Sequence, residues 1–140
     1  RADQGQVFAI EKKEEAAALL EENKQKFAVD NLEIIKGEAP QALENLPAPT
    51  HAFIGGSSGN LKEIVALLLG KNPQVRIVIN CITLETVTEA MNAIRDFGLE
   101  DVDIVQLAAA RSKSIGRYHM MMGENPIYII SCSGRGEEIR

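Results

Sequence analysis

The sequence has no tryptophan, and only two histidines and two cysteines among its 140 residues. Each scarcity narrows the function. Cys81 and Cys132 both lie inside apolar runs, so they are expected to be buried thiols in a reducing cytosol. His51 and His119 have no Cys or Asp at ligand spacing, so no metal site is expected. Positive charge is also thin. The net charge is −5 and Lys and Arg are scattered, which argues against the basic footprint of a nucleic-acid binder. No apolar run approaches the ~20 residues of a membrane span, and no signal-peptide pattern opens the chain. A cytoplasmic location with no membrane partner is the expectation. Repeats and low-complexity linkers are lacking too, and with 45% hydrophobic residues the chain fits one globular domain.

What is present alternates strand and helix. Val7–Ile10 is a short apolar strand that ends in Glu11, and a Glu-, Lys- and Ala-rich helix follows from Lys13 to Phe27. Its apolar side is expected to carry Ala16, Leu19, Leu20, Asn23 and Phe27. Leu32–Lys36 is a second strand, closed by Gly37-Glu38-Ala39-Pro40, and His51–Ile54 a third, closed by Gly55-Gly56-Ser57-Ser58-Gly59. Leu61, Ile64, Val65, Leu68 and Leu69 repeat at helical spacing, with Gly70 and Pro73 as the expected stop. Arg76–Cys81 is apolar on both faces, as a strand between two helix layers would be. Leu84, Val87, Met91, Ile94 and Phe97 mark a further helix, with Thr83 as N-cap and Gly98 as terminator.

Strands over Val102–Ala108 and Ile127–Cys132 close the pattern. Residues 109–125 are too polar and too Gly-punctuated for a crossover helix, so these two strands are expected to pair antiparallel. The expected fold class is therefore α/β, a doubly wound, Rossmann-like S-adenosylmethionine methyltransferase fold, which the antiparallel pairing favours over the dinucleotide dehydrogenase fold. The sheet would be mostly parallel, with an antiparallel terminal hairpin at the edge. Ligands in doubly wound sheets bind outside the carboxyl ends of the strands. A carboxylate there, such as Glu11, can accept both hydroxyls of a ribose, which points to a nucleotide-like cofactor; equally, it is the kind of acid that helix starts favour.

Four segments taken together resemble a known family. They are Ala52 to Leu61, Asn80-Cys81-Ile82-Thr83-Leu84-Glu85, Ala110-Arg111 through Gly116-Arg117-Tyr118, and Asn125-Pro126-Ile127-Tyr128-Ile129-Ile130. The set is similar to the decarboxylating precorrin methyltransferases of cobalamin biosynthesis, across nearly all of Val7 to Cys132. The resemblance implies S-adenosyl-L-methionine as cofactor and a tetrapyrrole as substrate, precorrin-6Y or its cobalt-containing counterpart. The macrocycle would be methylated and an acetate side chain decarboxylated. It also implies a first strand and an Asp-x-Gly-x-Gly-x-Gly turn upstream of the acid-tipped strand. The sequence starts at Arg1 without that turn, so the expectation is an N-terminally truncated piece of a larger domain or bifunctional enzyme.

The resemblance also distributes roles. Glu11 and Lys12 would face the ribose, and Gly37, Glu38 and Ala39 the adenine, although the latter three also suit a plain strand-ending turn. Gly55 and Gly56 would let the backbone approach the cofactor closely. Ser57, Asn60, Asn80 and Thr83 would meet the substrate, with Thr83 alternatively only a cap. Arg111, Lys113 and Arg117 would supply cations for the precorrin carboxylates beside the flat ring of Tyr118, and a solvated loop would read the same way. Methyl transfer to an electron-rich bridging carbon needs positioning more than a base, so no catalytic acid or base is named. A homo-oligomer is expected, a tetramer by family resemblance. A methyltransferase for RNA, protein or another small molecule, and a non-catalytic α/β interaction domain, both remain open.

Overall fold

The structure, a computed structural model, describes residues 4–57 and 59–136. It divides into two compact units, Arg1–Pro47 and Ala48–Arg140. The first unit holds β1 (Val7–Glu11), α1 (Glu14–Lys26) and β2 (Leu32–Lys36). β1 and β2 pair in parallel with Glu11 opposite Lys36, so both strands end at one level. Glu14 and Glu15 occupy the first turn of α1 and Lys24 and Lys26 its last, each sign at the end of the helix dipole that favours it. Ala17 is the buried residue of the helix, flanked by half-buried Ala16, Leu20 and Lys24. The inward face is therefore rotated from the expected one: Leu19 and Phe27 are 59% and 68% exposed. A small Ala at the centre lets the helix backbone lie close to the strands, and the larger side chains splay outward.

The second unit contains β3 (His51–Ile54), α2 (Leu61–Lys71), β4 (Arg76–Cys81), α3 (Leu84–Phe97), β5 (Glu100–Leu107), β6 (Ala110–Ile115), β7 (Tyr118–Gly123) and β8 (Ile127–Ser133). Its main sheet has the order β3-β4-β8-β5. β3 and β4 are parallel, whereas β8 runs antiparallel to both β4 and β5. The antiparallel pairing of the last strand is as expected, but its place is not. β8 lies between β4 and β5 and is no edge strand.

Leu61, Ile64, Val65 and Leu68 of α2 are buried, as are Ala90 and Ala93 of α3. With Val75, Ile77, Ile79, Cys81, Ile130 and Cys132 they form the core. Three expectations are corrected here. α2 passes through Gly70 and ends at Lys71, so Gly70 does not stop it. α3 packs through its alanines, while Leu84 is 72% exposed and Met91 also faces outward. β4 buries Ile77, Ile79 and Cys81 but leaves Arg76 exposed and Val78 and Asn80 half-buried, so one face, rather than both, is fully covered.

The largest correction concerns residues 109–125, expected as a loop. They form an antiparallel hairpin, β6 with β7, turning at Gly116 with φ +60°. Every residue of β5, β6 and β7 is exposed. Asp101, at φ +51°, marks a register shift between Glu100 and Asp103 in the pairing of β5 with β8.

Candidate functional site

In the first unit, the carboxyl ends of β1 and β2 meet. The Glu11 carbonyl accepts from Gly37 N–H at 3.2 Å, and the Glu11 side chain accepts from Lys13 N–H at 2.8 Å. One carboxylate oxygen thus anchors the start of α1, which is the helix-start role weighed from the sequence. Lys12 Nζ lies 3.3 Å from Glu38 Oε1, so Glu38 has a cation partner. Gly37 is tightly placed, since a Cβ there would sit 3.0 Å from the Ala42 Cβ. Glu11, Lys12, Gly37 and Glu38 are therefore brought together at one strand-end rim, with Ala39 next in the chain and half-buried.

In the second unit, a pocket of about 370 Å³ opens at the carboxyl ends of β3 and β4. Gly55, Gly56, Ser57 and Gly59 line one side, from the turn between β3 and α2. Asn80, Ile82 and Thr83 follow from the end of β4, and Glu85, Thr86 and Glu89 from α3. Thr83 caps α3 as expected, its hydroxyl accepting from Thr86 N–H at 3.2 Å. Among the described residues, Gly56 has open space where a Cβ would be, so none of them demands glycine there. Asn80 Oδ1 is buried without a hydrogen-bond partner among the described residues. Buried acceptors are rarely left so, and this one belongs to a residue of the pocket wall.

Of the expected substrate residues, Ser57, Asn80 and Thr83 share this pocket; Asn60 sits just outside its lining, as N-cap of α2. Arg111 and Lys113 lie on β6, Arg117 and Tyr118 at its turn into β7, and none of the four is among the described lining residues. The Arg117 guanidinium donates to Tyr118 Oη at 3.0 and 3.2 Å and stacks 5.2 Å from its ring centre. Sequence reasoning missed Ile82, Glu85, Thr86 and Glu89. The Glu85/Glu89 spacing of four residues, which puts both on one helix face, was the available signal. Ser58 lies outside the described residues.

Both cysteine thiols are pushed up by burial, Cys132 despite the nearby Arg76 guanidinium. They carry the character of packing groups, not nucleophiles. Asp96 is held below the usual carboxylate range by its hydrogen bond from Lys62 at 2.9 Å, a link between α2 and α3. Among the described residues no cluster of His, Cys, Asp and Glu could hold a metal, and no helix is long and apolar enough to cross a membrane.

Together, the parallel β3–β4 pair, the inserted antiparallel β8 and the strand-end pocket define the Rossmann-like fold of S-adenosylmethionine-dependent methyltransferases. Within that class the chain belongs to the precorrin methyltransferase domain family, which residues 1–133 match. A relative from Methanothermobacter thermautotrophicus, named "Probable cobalt-precorrin-6B C(15)-methyltransferase (decarboxylating)", is 40% identical over 126 residues, 89% of this chain and 65% of that protein. The chain thus spans just under two thirds of that relative's length. Two solved structures are similar. The precorrin 8W decarboxylase of Methanobacterium thermoautotrophicum has a TM-score of 0.81 at 39% identity, covering 91% of this chain and 69% of that one. The precorrin-6Y C5,15-methyltransferase of Geobacter metallireducens has a TM-score of 0.82 at 33% identity, covering 92% and 68%.

Proposed function

We propose that this chain serves S-adenosylmethionine-dependent C-methylation of a precorrin macrocycle, coupled to decarboxylation of an acetate side chain, in cobalamin biosynthesis. The observation that carries this reading is the pocket at the ends of β3 and β4, with its open glycine at 56 and its orphaned acceptor on Asn80, in a chain of this family. A site of this size, near the lower end of the ~300–1,000 Å³ range for ligand pockets, takes one edge of a tetrapyrrole and not the whole macrocycle.

The cofactor would supply an electrophilic methyl on a sulfonium. The residues fit it at two places. On the first unit, Glu11 offers a carboxylate to ribose hydroxyls, with Lys12 and Glu38 beside it. The Gly37–Ala39 turn offers close backbone to an adenine. On the second unit, Gly55 and Gly56 let a ligand reach the main chain. Ser57, Asn60, Asn80 and Thr83 then hold the substrate, and positioning of carbon against methyl does most of the catalytic work. Arg111, Lys113 and Arg117, with Tyr118, offer the peripheral carboxylates of the macrocycle their counter-charges from the hairpin. A cytoplasmic homo-oligomer, a tetramer by family resemblance, is part of this reading. It is supported by apolar side chains such as Ile115 and Met120 to Met122, which the hairpin leaves exposed.

Isothermal titration with S-adenosylhomocysteine tests the cofactor assignment. Glu11→Ala should weaken binding by about 1.5–3 kcal/mol, roughly ten- to a hundred-fold, the scale for losing hydrogen bonds to a charged group. An unchanged dissociation constant removes Glu11 from the site.

A further inference from the structure

The proposed substrate bristles with carboxylates, yet among the described residues the β3–β4 pocket presents no cation. Its titratable side chains are Glu85 and Glu89, one helical turn apart on α3. Such a wall repels an incoming carboxylate unless the chemistry calls for an acid there, and loss of carbon dioxide does. From the function proposed above, and resting on it, we infer that Glu89 is the catalytic group that carries the proton for the decarboxylation.

Four observations converge. The pocket is of a size for one ring and its side chain. Asn80 Oδ1 is buried with no hydrogen-bond partner among the described residues, so the pocket wall carries an unsatisfied polar atom as well as the two acids. Glu89 is half-buried, whereas Glu85 is open to solvent, so Glu89 is the carboxyl shielded with the ligand. Glu89 also lines a neighbouring hollow together with Lys62 and Arg95, and, being only half-buried, it keeps contact with water. A group placed between pocket and bulk water can be recharged with a proton after it gives one up.

The step balances without any further reactant. An acetate docked against Glu89 shares one proton with it, because two carboxylates in contact do not both stay ionised. The bond between the acetate methylene and its carboxylate carbon breaks, and carbon dioxide leaves. The electron pair of that bond moves into the conjugated macrocycle. It returns to the methylene carbon to form a new C–H bond with the proton held on Glu89, which yields a methyl group. Glu89 is then reprotonated from water through the Lys62 side.

The test uses the chain with S-adenosylmethionine and cobalt-precorrin-6B in heavy water, and reads methylation and decarboxylation separately by product mass. Wild type should give the methylated, decarboxylated product with one deuterium in the new methyl group. Glu89→Gln, close in shape and with its fold verified by circular dichroism, should methylate and accumulate product that keeps its carboxyl group. Its decarboxylation should be slowed by ~10²-fold or more, the usual worth of a positioned proton donor. Glu89→Asp should recover part of the loss, and Glu85→Gln should decarboxylate as wild type does. Undiminished decarboxylation by Glu89→Gln overturns the inference, and so does loss of both reactions together in the folded variant. Absence of methyl transfer in wild type would instead bring down the proposed function itself, and this inference with it.

Discussion

Two glycines of the second unit, 134 and 56, offer a paired test of what the sequence spends on folding and what it spends on the pocket. Gly134 follows β8 and is buried, and its N–H donates to the Val75 carbonyl at 3.0 Å. A Cβ there would run into the Pro73 carbonyl oxygen, with Leu69 Cδ2 at 2.7 Å and the Pro73 carbonyl carbon at 2.9 Å. Two of those atoms are backbone and cannot swing away as the tip of a side chain would. Overpacking of this kind costs about 1–3 kcal/mol, and the anchoring hydrogen bond puts about another 0.5–1.5 at risk. Gly134→Ala should therefore destabilise the chain by roughly 2–4 kcal/mol, a large share of the ~5–15 kcal/mol that holds a typical domain. By thermal melting at roughly 3–5 °C per kcal/mol, the midpoint should fall by about 6–20 °C. Gly56→Ala meets no atom within 4 Å and should stay within ~0.5 kcal/mol of wild type, its effect appearing only as weaker ligand binding. If Gly134→Ala melts with the wild type, the packing of β8 against the Pro73 turn is not as described and the reasoning fails.

Thr83→Ala removes the acceptor for Thr86 N–H, so about 1 kcal/mol of stability should be lost; Thr83→Ser should restore most of it in a chemical-denaturation series. Cys81 and Cys132, buried and raised in pKa, should resist iodoacetamide at pH 8 in the native chain and react promptly once it is unfolded in urea; rapid native labelling would contradict the core as drawn.

Where a segment has one wet and one dry side, its sequence announces it. Thr83 and Gly98 bracket α3 because capping and termination are local chemistry: the Thr83 hydroxyl takes Thr86 N–H, and Gly98 adopts φ +61°. β1 to β4 were legible from short β-branched runs between turn residues. Faces were harder. Ala17, Ala90 and Ala93 make the actual seams, and alanine contributes little to an apolar pattern even where its smallness sets the packing distance. The β6–β7 hairpin was invisible for a different reason. Exposed throughout, it has no buried side to impose alternation, and Ser112, Lys113 and Ser114 read as loop. Gly55, Gly56 and Asn80, singled out in the sequence, line the β3–β4 pocket. Glu85 and Glu89 line it too but did not stand out, because on a helix the same acids serve equally as a solvated face.

The insertion of β8 between β4 and β5 has a consequence for the birth of the protein. β3, α2, β4, α3 and β5 leave the ribosome in that order, but β4 and β5, the two strands that β8 will join, do not pair with each other in the finished sheet. They wait while about 25 more residues are made, roughly one to five seconds at ~5–20 residues per second. Through that interval the unpaired backbone edge of β4 has no strand to seal it, and open strand edges are what chaperones and stray chains find first. Most of the delay is the hairpin, which the ribosome must finish before the sealing strand can follow. Trimming it would leave every register in the main sheet intact and shorten the time in which a newborn chain is most easily lost.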